Sequence, residues 1–120
     1  PPFPEYVSGH SAFSSAASSV LNAFTGSDYL GATLSIPAKS SDFDPTFPNT
    51  DLELYWETFS DLAQEAGMSR IYGGIHFDQG NEEGLILGTQ IGTYSYELGV
   101  SFADGSATEQ DQPFADWLIA

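Results

Sequence analysis

Glycine returns every four residues at Gly84, Gly88 and Gly92, and no other feature restricts the fold of this chain as strongly. That interval keeps all three positions on one face of a helix, and a face without side chains lets a neighbouring helix come within backbone range. Leu85, Leu87, Ile91, Tyr94 and Leu98 supply apolar positions around the ladder. With Asn81 as cap, Glu82 and Glu83 at the positive end and Gly99 as terminator, the pattern predicts a helix over 82–98. Ladders of this kind are familiar from membrane helix dimers, but Thr, Gln, Ser and Glu flank this one and favour packing in water. No run of 18 apolar residues occurs, so no membrane span is expected.

A second segment shares the preference for small residues. Phe13, Ala17, Val20, Leu21 and Phe24 fall at i, i+4, i+7, i+8 and i+11, which predicts a helix over 9–24 with Ser8 or Gly9 as N-cap and Gly26 as its stop. Its remaining positions are mostly Ser and Ala, a surface that a neighbouring helix or a bound group can approach closely. The proline-rich start, Pro1 to Val7, reads as an extended lead-in. Alternation over Ala32–Ile36 predicts a strand with Leu52–Trp56 as its partner, separated by a loop holding Pro37, Pro45 and Pro48. Phe59, Leu62, Ala63 and Ala66 predict a further helix from Thr58 to Ala66, ended by Gly67. Residues 69–77 are mixed, and the last twenty residues read as an acidic loop closing on Trp117-Leu118-Ile119. The expected fold is mainly α, a helical bundle with a small irregular β/loop excursion, divided into a helical part over 1–99 and an acidic tail over 100–120.

Charge narrows the function. Two Lys/Arg residues against 17 Asp/Glu give a formal net charge of −15, although only 16% of the chain is charged. Cations are scarce, whereas acids are not crowded. Nucleic-acid binding needs basic side chains to replace phosphate counterions and is excluded as a reading. Docking on an anionic membrane is disfavoured for the same reason. Without cysteine there is no disulfide, zinc–thiolate site, iron–sulfur cluster or thiol nucleophile.

Lys39, Arg70, His10 and His76 are the side chains that can be cationic near neutral pH, and two local contexts hold three of them. Ser8-Gly9-His10 stands at a predicted helix start, where free N–H groups and the helix dipole attract anions. Ser69-Arg70 is followed after five residues by His76. An arginine offers a planar fork of donors to phosphate-like oxygens, and a neutral histidine offers a nucleophilic nitrogen. Together these groups suffice to hold a tetrahedral oxyanion and to transfer a proton. Each also has an ordinary reading, as a surface histidine at a helix start and a surface arginine in an ion pair. Two histidines so far apart match no tight metal-ligand spacing, and the Asp-rich loop 41–51 leaves calcium open. No G-x-S-x-G, phosphate-binding loop or dinucleotide fingerprint is present.

Pro2-Phe3-Pro4-Glu5-Tyr6-Val7-Ser8-Gly9-His10-Ser11 resembles the second signature motif of the vanadium-dependent haloperoxidase and type-2 phosphatidic acid phosphatase superfamily. Ser69-Arg70-Ile71-Tyr72-Gly73-Gly74-Ile75-His76-Phe77 resembles its third motif, in the family's order and at a fitting separation. The tyrosine in the first stretch and the Gly-Gly-Ile-His-Phe in the second are more similar to the soluble haloperoxidase-like branch. The resemblance covers residues 1–99 and implies a helical bundle with an oxyanion buried between helices. It implies that His76 bonds the vanadium of vanadate, or attacks phosphorus in a phosphatase, and that His10 is the general acid–base. Arg70, the Ser8 hydroxyl and the Gly9 N–H would then neutralise the equatorial oxygens.

The implied activity is oxidation of halide by hydrogen peroxide at a His-bound vanadate. An acid phosphatase cleaving a phosphomonoester through a phosphohistidine is the alternative, and a non-catalytic structural subunit that keeps the motifs is a third. The family's first motif, a Lys followed by Arg-Pro, has no counterpart here, and Lys39 stands in the wrong context to replace it. The chain therefore reads as the C-terminal portion of a longer protein whose remainder supplies those cations, and the isolated piece is expected to be inactive. Many phosphatase members carry Asp four residues after the last histidine, where this chain has Gly80; Asp78 is the candidate for orienting the other ring nitrogen of His76. A homo-oligomer stays open, and the family together with the acidic surface points to an extracellular or periplasmic setting.

Overall fold

A computed structural model describes residues 2–108. Its elements are α1 (Gly9–Thr25), β1 (Tyr29–Ile36), β2 (Leu52–Thr58), α2 (Phe59–Tyr72) and α3 (Asp78–Asp104). The fold is mainly helical with one two-stranded sheet, as the sequence predicts. The apolar terminus around Trp117 lies outside the described residues. Among those residues no helix is long and apolar enough to cross a membrane.

Ser8 is the N-cap of α1, its Oγ accepting the Ser11 N–H at 3.4 Å. Gly26 ends the helix in the left-handed conformation, φ 73°, which costs a residue without Cβ little, and donates its N–H to Asn22 O. β1 and β2 then pair antiparallel, with Ala32 opposite Trp56, Leu34 opposite Leu54 and Ile36 opposite Leu52. Those six residues share one apolar face, while Thr33, Ser35, Glu53 and Tyr55 occupy the other. Thr58 closes β2 and opens α2 through a reciprocal capping box: its Oγ1 accepts the Asp61 N–H at 2.9 Å, and Asp61 Oδ2 accepts the Thr58 N–H at 3.2 Å.

Two helix boundaries differ from the sequence prediction, and both differences have tertiary causes. α2 does not stop at Gly67 but runs on to Tyr72. Gly67 is buried, and a Cβ there would collide with Asn81 and Ser11, so this glycine serves close helix contact instead of termination. α3 starts at Asp78, four residues before the predicted Glu82, and passes Gly99 to end at Gly105 with φ 79°. Phe77 is its N-cap and has no side-chain capping bond of its own; the Glu5 carboxylate, distant in sequence, accepts the Phe77 N–H at 3.0 Å. Asn81 is therefore not a cap. It lies buried inside α3 with its Oδ1 2.6 Å from Ser11 Oγ.

The larger correction concerns which faces are inside. Most of the predicted apolar positions of α1 and α3 are exposed: Phe13 is 81% and Phe24 76% accessible, and Leu21, Leu87, Ile91 and Tyr94 are open as well, while Leu98 is buried. What α1 and α3 bury against each other is the small-residue stripe. Gly84 meets Ser8 O and Ser11 Cβ, Gly88 meets Ala12 O and Ser15 Cβ, and Gly92 meets Ala16 O and Ser19 Cβ, all too close for an added Cβ. Ser15 Oγ donates to Leu85 O at 2.7 Å across the seam. Ala63 and Leu98 are the buried hydrophobic residues among those described.

Candidate functional site

The two motif-bearing segments, about seventy residues apart, lie against each other. Ser8 N–H donates to Gly80 O at 2.9 Å, which ties the start of α1 to the first turn of α3. Phe3 lies against the ring of His76, with centroids 5.9 Å apart and planes tilted by 43°. The turn from α2 to α3 is held from within by the Ile75 N–H donating to Arg70 O at 3.0 Å. Chain reversal at Gly73–Phe77 thus places His76 under the extended segment that leads into α1.

His76 is buried, and its Nδ1 lies 2.7 Å from the backbone carbonyl oxygen of Glu5. A carbonyl only accepts, so this bond requires the proton on Nδ1, and in the neutral ring the lone pair is then on Nε2. The Glu5 carboxylate stands beside the same nitrogen, Oε1 at 3.5 Å. Asp78 was the sequence candidate for orienting this ring, and the structure corrects it: Glu5 does so, because the lead-in segment folds over the turn while Asp78 begins α3. Nothing local to the third motif marks Glu5. Its place inside the second motif, five residues before His10, was the sole available signal.

Ser8, Ser11 and Asn81 form a buried polar chain at the top of the α1–α3 seam. Ser11 Oγ is 2.7 Å from Ser8 Oγ and 2.6 Å from Asn81 Oδ1. Ser11 has one hydroxyl proton and an amide oxygen cannot donate, so Ser11 donates to Asn81 and Ser8 donates to Ser11. Asn81 Nδ2 faces Met68 Sδ at 3.7 Å. The Ser8 proton is thus directed into the seam, and contact with an oxyanion would require it to turn.

The remaining predicted site residues are placed more openly. His10 is exposed in the first turn of α1, and Gly9 begins that helix with open space beside its Cα. Arg70 is half-buried in the last turn of α2, where a cation complements the helix dipole. Its Nε donates to Ser69 Oγ at 3.0 Å, and Ser69 Oγ donates to Ala66 O. A cavity of 260 Å³ beside His76 is lined by Ile71, Gly74, Ile75, Phe77 and Asp78, so neither His10 nor Arg70 lines it.

Among the described residues no three His, Cys, Asp or Glu side chains gather as a cage for a metal ion, the acidic loop 41–51 included. Asp44 in that loop instead bonds Thr46 through Oδ1, which holds its carboxyl below the usual range. At this cavity His76 offers one imidazole nitrogen, with His10 and Arg70 outside the lining.

The family model described as the VCPO second helical-bundle domain matches residues 1–105. Among solved structures, an apo-type bacterial vanadium-dependent chloroperoxidase superposes with a TM-score of 0.82 at 30% identity, over 87% of this chain and 23% of that one. A holo-type bacterial vanadium-dependent chloroperoxidase gives 0.74 at 33% identity, over 78% of this chain and 20% of that one. The chain therefore spans less than a quarter of the length of the chloroperoxidases it matches. A search of curated proteins finds no match.

Proposed function

This chain belongs to the family of the VCPO second helical-bundle domain, and from that premise we propose that it is the C-terminal catalytic portion of a vanadium-dependent haloperoxidase-like enzyme. The reaction is halide plus hydrogen peroxide plus a proton, giving hypohalous acid and water. The observation that carries the reading is the buried His76, whose Nδ1 proton is held by Glu5 O so that Nε2 is left as the ligand atom. Vanadate, when bound, supplies the centre at which peroxide is activated toward halide.

The chain's own residues have separate tasks. His76 Nε2 anchors the oxyanion, and the Glu5 carbonyl keeps the ring from turning. His10, exposed at the start of α1, takes and returns a proton. The Arg70 guanidinium and the Gly9 N–H at the α1 terminus neutralise oxygens. With two Lys/Arg residues in all, the chain cannot neutralise a multiply charged oxyanion alone. The remainder of the protein supplies the missing Lys and Arg, and it also covers Phe13, Phe24 and the outer face of α3.

The complete protein loaded with vanadate should brominate a phenol-dye reporter in peroxide and bromide, and His76→Ala should abolish this. Absence of turnover, with wild type and His76→Ala alike, would sink the reading. If vanadate instead inhibits hydrolysis of a phosphomonoester, the same residues serve an acid phosphatase with His76 as nucleophile. If neither reaction occurs, the chain is a structural subunit that keeps the motifs.

A further inference from the structure

Glu5 makes two kinds of contact at once, and its side chain has no role in the mechanism above. Its carbonyl oxygen takes the Nδ1 proton of His76 at 2.7 Å. Its carboxylate accepts the Phe77 N–H at 3.0 Å through Oε1, the same oxygen that stands 3.5 Å from His76 Nδ1. The carboxylate can lie there because residue 80 is glycine: a Cβ on Gly80 would meet Glu5 Cδ at 2.8 Å and Oε2 at 3.0 Å, with Oε1 closer still. Gly80 itself is buried and gives its carbonyl to the Ser8 N–H. The first turn of α3 is therefore shaped around the side chain of Glu5.

We infer that Glu5 is a positioning residue for His76: its carboxylate, seated in the notch left by Gly80, locks the α3 terminus and fixes the imidazole with Nε2 available to the oxyanion. The physical argument has two parts. A carboxylate at a helix N-terminus is favoured by the dipole and satisfies a donor that Phe77 cannot satisfy for itself. A carboxylate beside a donated Nδ1–H also favours the proton on that nitrogen, which preserves the lone pair on the other. One side chain thus couples the second motif to the third. The role rests on the reading of His76 as the oxyanion's ligand.

The test uses the complete protein and the isosteric variant Glu5→Gln, whose amide oxygen still accepts the Phe77 N–H. Vanadate affinity is measured by equilibrium dialysis, and the ring tautomer of His76 by nitrogen NMR on histidine-labelled apo protein. Glu5→Gln should keep the wild-type melting temperature, weaken vanadate binding about tenfold or more, and raise the minor share of the Nε2–H tautomer, which the retained Glu5 carbonyl then opposes alone. Gly80→Ala, which pushes the carboxylate out of its notch, should weaken binding in the same direction, and the double variant should lose less than the sum of the two. If Glu5→Gln binds vanadate as wild type does, the carboxylate is only a helix cap and the inference is overturned. If the wild type itself binds no vanadate, the functional reading fails separately, and the tautomer alone decides: an unchanged His76 ring overturns the role of Glu5, and a shifted one supports it.

Discussion

The two faces of α1 obey opposite rules. The face toward α3 carries Ser8, Ser11, Ala12, Ser15, Ala16 and Ser19, and it is the face in closest helix contact. The opposite side carries Phe13, Leu21 and Phe24, which hydrophobicity alone would place in a core, and it is open. α3 repeats the contrast, with Gly84, Gly88 and Gly92 in the seam and Ile86, Leu87, Ile91 and Tyr94 outside. Large apolar side chains are normally buried by transfer free energy, at ~25 cal/mol per Å². A contiguous exposed set is a surface awaiting a cover. The comparison separates a closed seam from an open face. Between α1 and α3 the cohesion is backbone proximity, dispersion and serine hydrogen bonds; on the outer faces large apolar side chains stand open among the described residues.

The sharpest way to break the comparison is to fill the seam. Gly88→Leu drives a side chain into Ala12 and Ser15, and the complete protein should lose roughly 3 kcal/mol or more. A thermal melt close to that of wild type would mean that the seam is not tightly closed. The outer face comes next. Phe24→Ser in the complete protein should cost about 3 kcal/mol in denaturant unfolding if that face is covered. Had Phe24 remained in solvent there, the change would stay within ~0.5 kcal/mol. The smallest expected effect belongs to the hydrogen bonds within the seam. Ser15→Ala removes the donor to Leu85 O and should cost about 1 kcal/mol, and an undetectable loss would show that packing alone holds the helices.

Much of the local structure was legible in the sequence because its signals are local. Gly26 stops α1, Ser8 caps it, and the alternation from residue 32 to 36 pairs with Leu52–Trp56. The errors came where a residue answers to a partner far along the chain. Gly67 looks like a stop but accommodates Asn81 and Ser11. Asn81 looks like a cap but is a buried partner of Ser11, and the true start of α3 depends on Glu5. Periodicity marked the apolar stripes correctly and could not tell which covering they require.

The candidate site divides in the same way. His10, Arg70 and His76 stand out in the sequence because cations are so scarce in this chain and because the motif residues around them are long and ordered. Glu5 could not stand out, since its carbonyl and carboxylate gain meaning only when the lead-in segment lies across the α2–α3 turn. Ser8 stands out only through its motif, and its Oγ lies 2.7 Å from Ser11 Oγ in the seam, a pairing no local pattern marks.

By itself the sequence determined helix content, the hairpin, the tight helix contact implied by the glycine ladder, and the family. Each depends on residue types at short spacing, where sterics and propensity act without reference to the rest of the chain. Tertiary structure alone decided that the small-residue stripes, not the apolar ones, meet between α1 and α3. It also decided that Glu5, some seventy residues away, meets both the Phe77 N–H at the start of α3 and Nδ1 of His76. The reason is physical: a hydrogen bond or a backbone contact across such a separation exists only after chain entropy has been lost, and no local pattern encodes which distant group will fill it.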